Sequence, residues 1–596
     1  MAKKYIDVMD TTFRDGFQSV FGGRVLMDDF FPAVEAAKDA GITHFEFGGG
    51  ARFQSLYFYL QEDAFKMMDG FREIVGPDAN LQVLSRGINT VMLDTGSREM
   101  ISLFAKLFKK HGTSTVRNFD ALNDVNNLAF SAEMIKKHGL NHEVVVTMMD
   151  LPPGCKGAHD VAFYEKTLRN ILDSGIEFDS VCFKDASGTA NPHKVYETIS
   201  MARKLLGESV HLRLHTHETA GVSVASYLAA LEAGANGIDM AASPVSGGTS
   251  QPDILTMLHA TKGTNYNLGD LKLEKVLKYE ERLKECLAEY MIPPEATQVS
   301  PLIPFSPMPG GALTANTQMM RDNGDLDKFD EVIKAMKEVV ERGGYGTSVT
   351  PVSQFYWQQA YANVMFGPWK QIAPGYGRMV LGYFGKTPVE PDREIIELAS
   401  QKLKLDPTTE NPLDIADAEE TKSIAHWTKV LEEEGLEATD ENIFIAAACD
   451  KKGIAFLKGE GPLMVRKGKE NNSGEAEMAG NYTVVVDGKQ YSVQVAEGEG
   501  DIQISAPAAA APAAAPAAAP AAGGAGNVEI HSQTPGNVWK IVKNPGDSVA
   551  EGEVIMILEA MKMEIDIAAP QAGKIATINV NVNDAVADGQ LLATME

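Results

Sequence analysis

Two histidines stand two residues apart in Leu214-His215-Thr216-His217. In an extended strand alternate side chains share a face, so both imidazoles point the same way. Asp15, in Asp10-Thr11-Thr12-Phe13-Arg14-Asp15-Gly16, brings a carboxylate to the end of another apolar run. Two imidazole nitrogens and one carboxylate suit a borderline divalent cation and leave coordination positions open. Lys184-Asp185 closes a third run. The plain reading of that pair is a salt bridge, because a charged lysine is repelled by a cation and coordinates only when deprotonated or carbamylated. Much further on, Lys562 lies between Met561 and Met563. A lysine in a turn is ordinarily a solvated charge, but exposed methionines on both sides of it call for a reason.

Such residues need a scaffold. Over roughly the first 260 residues, amphipathic helical stretches end in Gly41, Gly112, Gly139, Gly175, Gly207 and Gly234, each followed by an apolar run. Glycine closes a helix by taking up a left-handed conformation at little cost. The runs at Tyr5–Met9, His44–Phe47, Leu81–Leu84, Thr115–Phe119, Glu143–Val146, Val181–Phe183, His211–Leu214 and Gly237–Ala241 are read as strands. Eight β-then-α units predict the α/β class and a (β/α)8 TIM barrel over 1–264. Active sites of such barrels lie at the C-terminal strand ends, where Asp15, Arg86, Asp120, Lys184, His215 and His217 all fall; strand 1 neighbours strands 7 and 8 in the closed circle. No GxGxxG opens the first helix, which disfavours a dinucleotide fold.

Helical patterns such as Leu273–Glu289 and Phe329–Arg342 then predict a helical extension over 265–470. Alternation at Tyr482–Val486 and Tyr491–Val495 around Asp487-Gly488 predicts a small β-hairpin region over 471–505. Residues 506–526 are an Ala/Pro linker, a semi-stiff tether reaching about 65 Å when extended at ~3.1 Å per residue. Residues 527–596 repeat internally: Gly536–Glu559 aligns without a gap on Gly573–Glu596. Eight positions are identical, among them Asp547/Asp584, Val549/Val586 and Gly552/Gly589. This predicts a two-fold β-sandwich with Lys562 in the hairpin between its halves.

Composition narrows the function. The 54 basic and 81 acidic residues give a net charge of −27, which argues against nucleic acid as a partner. No apolar run is long enough to insert into a membrane, and Met1–Val8 lacks the apolar core of a secretory signal. Cys155, Cys182, Cys286 and Cys449 form no CxxC. A cytoplasmic location is expected.

These motifs carry a family resemblance over nearly the whole chain. Glu559-Ala560-Met561-Lys562-Met563-Glu564 resembles the attachment site of biotin carrier domains. Asp10–Gly16 resembles the signature of metal-dependent barrels such as isopropylmalate synthase and hydroxymethylglutaryl-CoA lyase. Further landmarks are Arg14-Asp15-x-x-Gln18-Ser19, Phe119-Asp120-Ala121-Leu122-Asn123, Lys184-Asp185, Leu214–His217 and Pro309-Gly310-Gly311-x-Leu313-Thr314. With them the chain is similar to the biotin-dependent carboxyltransferases: the carboxyltransferase component of pyruvate carboxylase, the oxaloacetate decarboxylase α subunit and the transcarboxylase 5S subunit.

The resemblance implies biotin on Lys562 and a zinc or manganese ion held by Asp15, Lys184 (carbamylated in several relatives), His215 and His217. It implies that Arg86 and Gln18 grip a keto acid, that Arg14 and Asp120 pair at the biotin pocket, and that Thr314 relays a proton. A threonine after Pro-Gly-Gly also reads as a helix cap. Phe17, Gly48–Phe53 and Ala315 depart from the family pattern near the pocket.

The expected reaction is CO2 transfer from carboxybiotin to pyruvate, giving oxaloacetate through a metal-stabilised enolate. Because no ATP-binding region is evident, a separate biotin carboxylase subunit is expected to charge the biotin. A biotin protein ligase is a further expected partner, and relatives imply a homo-oligomer. The alternative is the α subunit of a sodium-pumping oxaloacetate decarboxylase running the reverse transfer. An acyl-CoA condensing enzyme with an idle tail leaves the tether unexplained, and a scaffold that only displays biotin leaves the barrel cluster unexplained.

Overall fold

Eight parallel strands close into a barrel, each followed by a helix. The strands are β1 (Asp7–Asp10), β2 (His44–Gly49), β3 (Asn80–Ser85), β4 (Thr115–Asn118), β5 (Asn141–Thr147), β6 (Ser180–Asp185), β7 (His211–Thr216) and β8 (Gly237–Met240). The structure, a computed structural model, describes residues 3–468, 480–486, 489–495, 528–532, 536–560, 563–582, 584–586 and 589–596. Ring closure pairs Asp7–Asp10 of β1 with Gly237–Met240 of β8. All six glycines expected to end helices have positive φ, between +70° and +110°. Lys4–Tyr5, expected in part within the first strand, pairs instead with Tyr266–Asn267 outside the barrel, so β1 begins at Asp7.

The compact unit Met1–Arg466 contains the barrel and the helices after it. Helix α2 (Leu273–Cys286) inserts Val276, Tyr279 and Leu283 into the barrel's outer core, where Tyr279 and Phe13 have ring centroids 6.1 Å apart. Helix α1 (Phe17–Phe21) follows β1 closely, and helix α3 (Gly310–Asn323) begins at Pro309. A second apolar core gathers Leu313 and Met320 of α3 with Met336, Tyr356, Trp357 and Tyr376 from the following helices.

The barrel interior is unusually charged. TIM-barrel cores are dominated by bulky branched side chains, yet His44, Glu46, Gln82, Arg117, Glu143, Lys184, Arg213, His215 and Asp239 are all buried on alternating strand positions. Their burial is offset by pairing. Arg117 contacts Glu143 at 2.5 Å and Asp239 at 2.5 Å, while Arg213 bridges Asp239 at 2.9 Å and also meets Asp7.

The second unit holds an antiparallel hairpin, β9 (Gly480–Val486) with β10 (Lys489–Val495), and a sandwich of two four-stranded sheets. One sheet runs β11 (Val528–His531), β18 (Leu591–Met595), β16 (Gly573–Ile578), β13 (Ser548–Val549). The other runs β15 (Met563–Ala568), β14 (Val554–Ala560), β12 (Gly536–Ile541), β17 (Ala585–Val586). The repeat read from sequence is reproduced pair by pair. Val538↔Leu558 corresponds to Ile575↔Met595, Gly536↔Val586 to Gly573↔Val549, and the register shift at Trp539 recurs at Ala576. Lys562, Asp487-Gly488 and the linker 506–526 lie outside the described residues.

Candidate metal centre

The segment after β1 is shaped by Asp10. Its Oδ1 accepts the Thr12 N–H at 2.9 Å and the Thr12 hydroxyl at 2.5 Å, and its Oδ2 accepts the Tyr279 hydroxyl at 2.7 Å. These bonds tie the wide helical turn Thr12–Gly16 to both barrel and α2, and that turn delivers Arg14 and Asp15 to the barrel mouth.

Asp15, His215 and His217 are buried, and their donor atoms lie within 4.8 Å of one another. The Nε2 atoms of His215 and His217 are 3.3 and 3.2 Å from Asp15 Oδ2. Both rings are held from behind. His215 Nδ1 is 2.8 Å from Asp239 Oδ2, and His217 Nδ1 donates to the Thr249 carbonyl at 2.7 Å. Each Nε2 is thereby left as the acceptor, the tautomer a cation needs. Strand register places Lys184 opposite His215, and Lys184 Nζ is 2.7 Å from His215 Nε2 and 3.9 Å from Asp15.

Burial alone would raise the Asp15 carboxyl, but Arg14, His217 and Lys184 together hold it well below the usual range. Burial lowers the Lys184 amine. Burial and Lys184 lower the His215 imidazole. A permanently ionised carboxylate, an imidazole kept neutral and a lysine biased towards its free amine fit a divalent cation.

Around this centre, Arg14 Nη2 meets Glu46 at 2.6 Å and Asp15 at 3.2 Å, and Arg14 Nη1 reaches Gln18 Oε1 at 3.3 Å. The expected Arg14–Asp120 ion pair is not formed among the described residues. Glu46, buried on β2, takes the guanidinium, whereas Asp120 accepts from the N–H groups of Leu122 and Asp124 and from the Asn127 amide. Burial, with Asp124 nearby, pushes the Asp120 carboxyl up to about 7. Glu46 Oε1 has no hydrogen-bond partner among the described residues.

Arg86 at the end of β3 is buried and has no carboxylate partner among the described residues. Its Nη1 donates to the carbonyls of Val91 and Met92 at 2.6 and 3.1 Å, and its Nε is unpaired there. Burial and the proximity of Arg14 lower it to about 9. Thr314 lies on α3, 3.3 Å from the Thr249 hydroxyl, and makes no cap bond at the helix start. A Cβ on Gly310 would fall 1.6 Å from the Thr249 carbonyl oxygen, so only glycine lets α3 approach the loop that orients His217.

Sequence reasoning places Glu46 among the strand ends without giving it a role, and misses Asp239 and Gln251 as site residues. For the first two the signal available was a charged side chain in an otherwise apolar, buried stretch: Phe45-Glu46-Phe47 and Ile238-Asp239-Met240. No helix among the described residues is long and apolar enough to cross a membrane.

The chain joins a barrel with a charged mouth to a two-fold sandwich, and comparison with known proteins shows the family to which it belongs. Residues 303–501 match a model described as a conserved carboxylase domain, and 528–595 match one described as a biotin-requiring enzyme. The chain is 30% identical over 569 residues to a pyruvate carboxylase subunit of Methanocaldococcus jannaschii, covering 94% of each. It is 29% identical over 496 residues to the methylmalonyl-CoA carboxyltransferase 5S subunit of Propionibacterium freudenreichii subsp. shermanii, covering 82% of this chain and 95% of that one. The carboxyl transferase domain of Rhizobium etli pyruvate carboxylase, solved with pyruvate and biocytin, shares the fold. There the TM-score is 0.69 at 23% identity, over 78% of this chain and 79% of that one. The chain belongs to the biotin-dependent carboxyltransferase family, together with that archaeal pyruvate carboxylase subunit.

Proposed function

We propose that this chain is the carboxyltransferase subunit of a two-subunit pyruvate carboxylase, forming oxaloacetate from pyruvate with biotin carried on Lys562. The observation that carries the reading is the convergence of Asp15, His215 and His217 with both Nδ1 atoms already committed. Zinc or manganese suits this donor set, with Lys184 as a fourth neighbour. A cation held by these residues would supply a Lewis acid for a keto oxygen that gathers negative charge.

The chain's own residues do the rest. Arg86 is a buried guanidinium without a carboxylate of its own among the described residues, suited to two-point binding of the substrate carboxylate. Gln18 and Arg14 form the adjacent polar wall. Thr314 Oγ1, linked through Thr249 to the His217 ring, sits where a hydroxyl can pass a proton. Asp120 enters this reading as a loop organiser, through its bonds to Leu122, Asp124 and Asn127. The archaeal relative is named as one subunit of a pyruvate carboxylase, which supports a separate biotin carboxylase subunit that charges the biotin.

The test compares Lys562→Arg and His217→Ala in two assays: oxaloacetate formation with the ATP-dependent partner, and decarboxylation of oxaloacetate with free biotin. Lys562→Arg should abolish the first and retain the second. His217→Ala should lower both at least 100-fold, roughly the scale on which a lost electrostatic stabiliser acts. Survival of oxaloacetate formation in both variants would overturn the reading.

A further inference from the structure

The lone pairs of both histidine Nε2 atoms are occupied from within the protein. Lys184 Nζ sits against His215 Nε2 at 2.7 Å, and the Gln251 amide nitrogen sits 3.0 Å from His217 Nε2 and 3.0 Å from Asp15 Oδ2. Gln251 is fully buried. Its Oε1 faces two hydroxyls, Thr11 Oγ1 at 2.8 Å and Ser250 Oγ at 3.2 Å. Because His217 Nδ1 donates to Thr249, Nε2 offers a single lone pair, which cannot accept from an amide and bind a cation together.

Cation binding therefore displaces this amide contact, and the surroundings permit a specific replacement. A hydroxyl donates or accepts equally well. The Thr11 hydroxyl is also 2.9 Å from the Met240 carbonyl, to which it can turn its one proton and so free its oxygen to accept. Ser250 Oγ can likewise accept. Exchanging the two ends of the Gln251 amide then costs no hydrogen bond at the hydroxyl end, and it turns a carbonyl oxygen towards Asp15 and His217.

We infer that Gln251 belongs to the metal centre: its amide, 3.0 Å from both Asp15 Oδ2 and His217 Nε2, turns over to supply an oxygen donor to the cation. This rests on the metal reading proposed above. The chemistry matches hard or borderline divalent cations, for which amide oxygen is an ordinary ligand.

The experiment titrates the metal-free full-length protein with Co(II) and Mn(II), reading visible absorption for the first and chelator competition for the second. Gln251→Met, close in shape and without an oxygen, should bind Mn(II) at least fivefold more weakly and alter the Co(II) bands. Gln251→Glu keeps an oxygen and should leave the Co(II) spectrum close to that of the parent. If the parent binds Co(II) but Gln251→Met gives the same spectrum and equal or tighter Mn(II) binding, the inference fails while the metal reading stands. If Gln251→Met does not fold, a Gln251→Glu spectrum far from the parent's overturns the inference. If the parent binds neither cation, both fail.

Discussion

Replacing Asp239 by asparagine tests whether the buried ion network exists to aim His215. Asp239 is fully buried; one oxygen receives Arg213 at 2.9 Å, and the other receives Arg117 at 2.5 Å and lies 2.8 Å from His215 Nδ1. Burial would raise this carboxyl, but Arg117, Arg213 and His215 hold it well below the usual range. Asp239→Asn keeps the shape and removes the charge that balances two buried guanidiniums. Breaking one side of a buried pair costs about 3–5 kcal/mol. Glu143 still contacts both arginines and Asp7 still contacts Arg213, which puts the expected loss near the lower end of that range, about 3 kcal/mol.

The second consequence concerns the ring. An amide no longer enforces an N–H at Nδ1, and losing such a support typically lowers metal affinity about 10–100-fold. The assay is a pair of measurements on one preparation: the denaturant midpoint of the metal-free protein, and Mn(II) affinity by chelator competition. A lowered midpoint together with affinity down at least tenfold is expected. A folded variant that binds Mn(II) within twofold of the parent would refute the idea that Asp239 orients His215.

Gly310→Ala puts a methyl where the Thr249 carbonyl already lies, so α3 must retreat by about 1 Å or more. Transfer activity should fall about 100-fold with helix content unchanged by circular dichroism, and normal activity would show that α3 approaches differently. Glu62 accepts the Met27 N–H at 2.9 and 3.1 Å, and burial pushes its carboxyl up to about 7. A raised acid pKa stabilises the fold fully below the unfolded value near 4.5 and loses that contribution as pH rises through 7. The thermal midpoint of the parent should therefore fall between pH 5 and 8 relative to that of Glu62→Gln; parallel profiles for the two would contradict this.

The barrel was legible because its punctuation is local: each helix-ending glycine carries its own conformational signal, and each apolar run is continuous. The sandwich was legible because a gapless repeat transmits register, and even the shift at Trp539 recurs 37 residues later. His215, His217 and Asp15 could be placed because period 2 and ring closure are geometric rules. The choice of Arg14's partner was not legible. Glu46 lies within β2 and Asp120 just beyond β4, and only the three-dimensional supply of N–H donors around Asp120 decides against it. Gln251 escaped notice for a related reason: an amide in a Ser-Gln-Pro loop has no spacing rule linking it to Asp15, 236 residues earlier.

The dyad of the C-terminal sandwich relates its strand ends in pairs. The rotation carries the end of β14 onto the end of β18 and the start of β15 onto the start of β11. The end of β14 and the start of β15 thus lie at one pole, while the start of β11 and the end of β18 lie at the other. A six-residue strand spans about 20 Å, so the domain is itself a rigid rod that adds its own length to any linker. A shortened leash would on that account be tolerated until the shortfall exceeds what the rod provides.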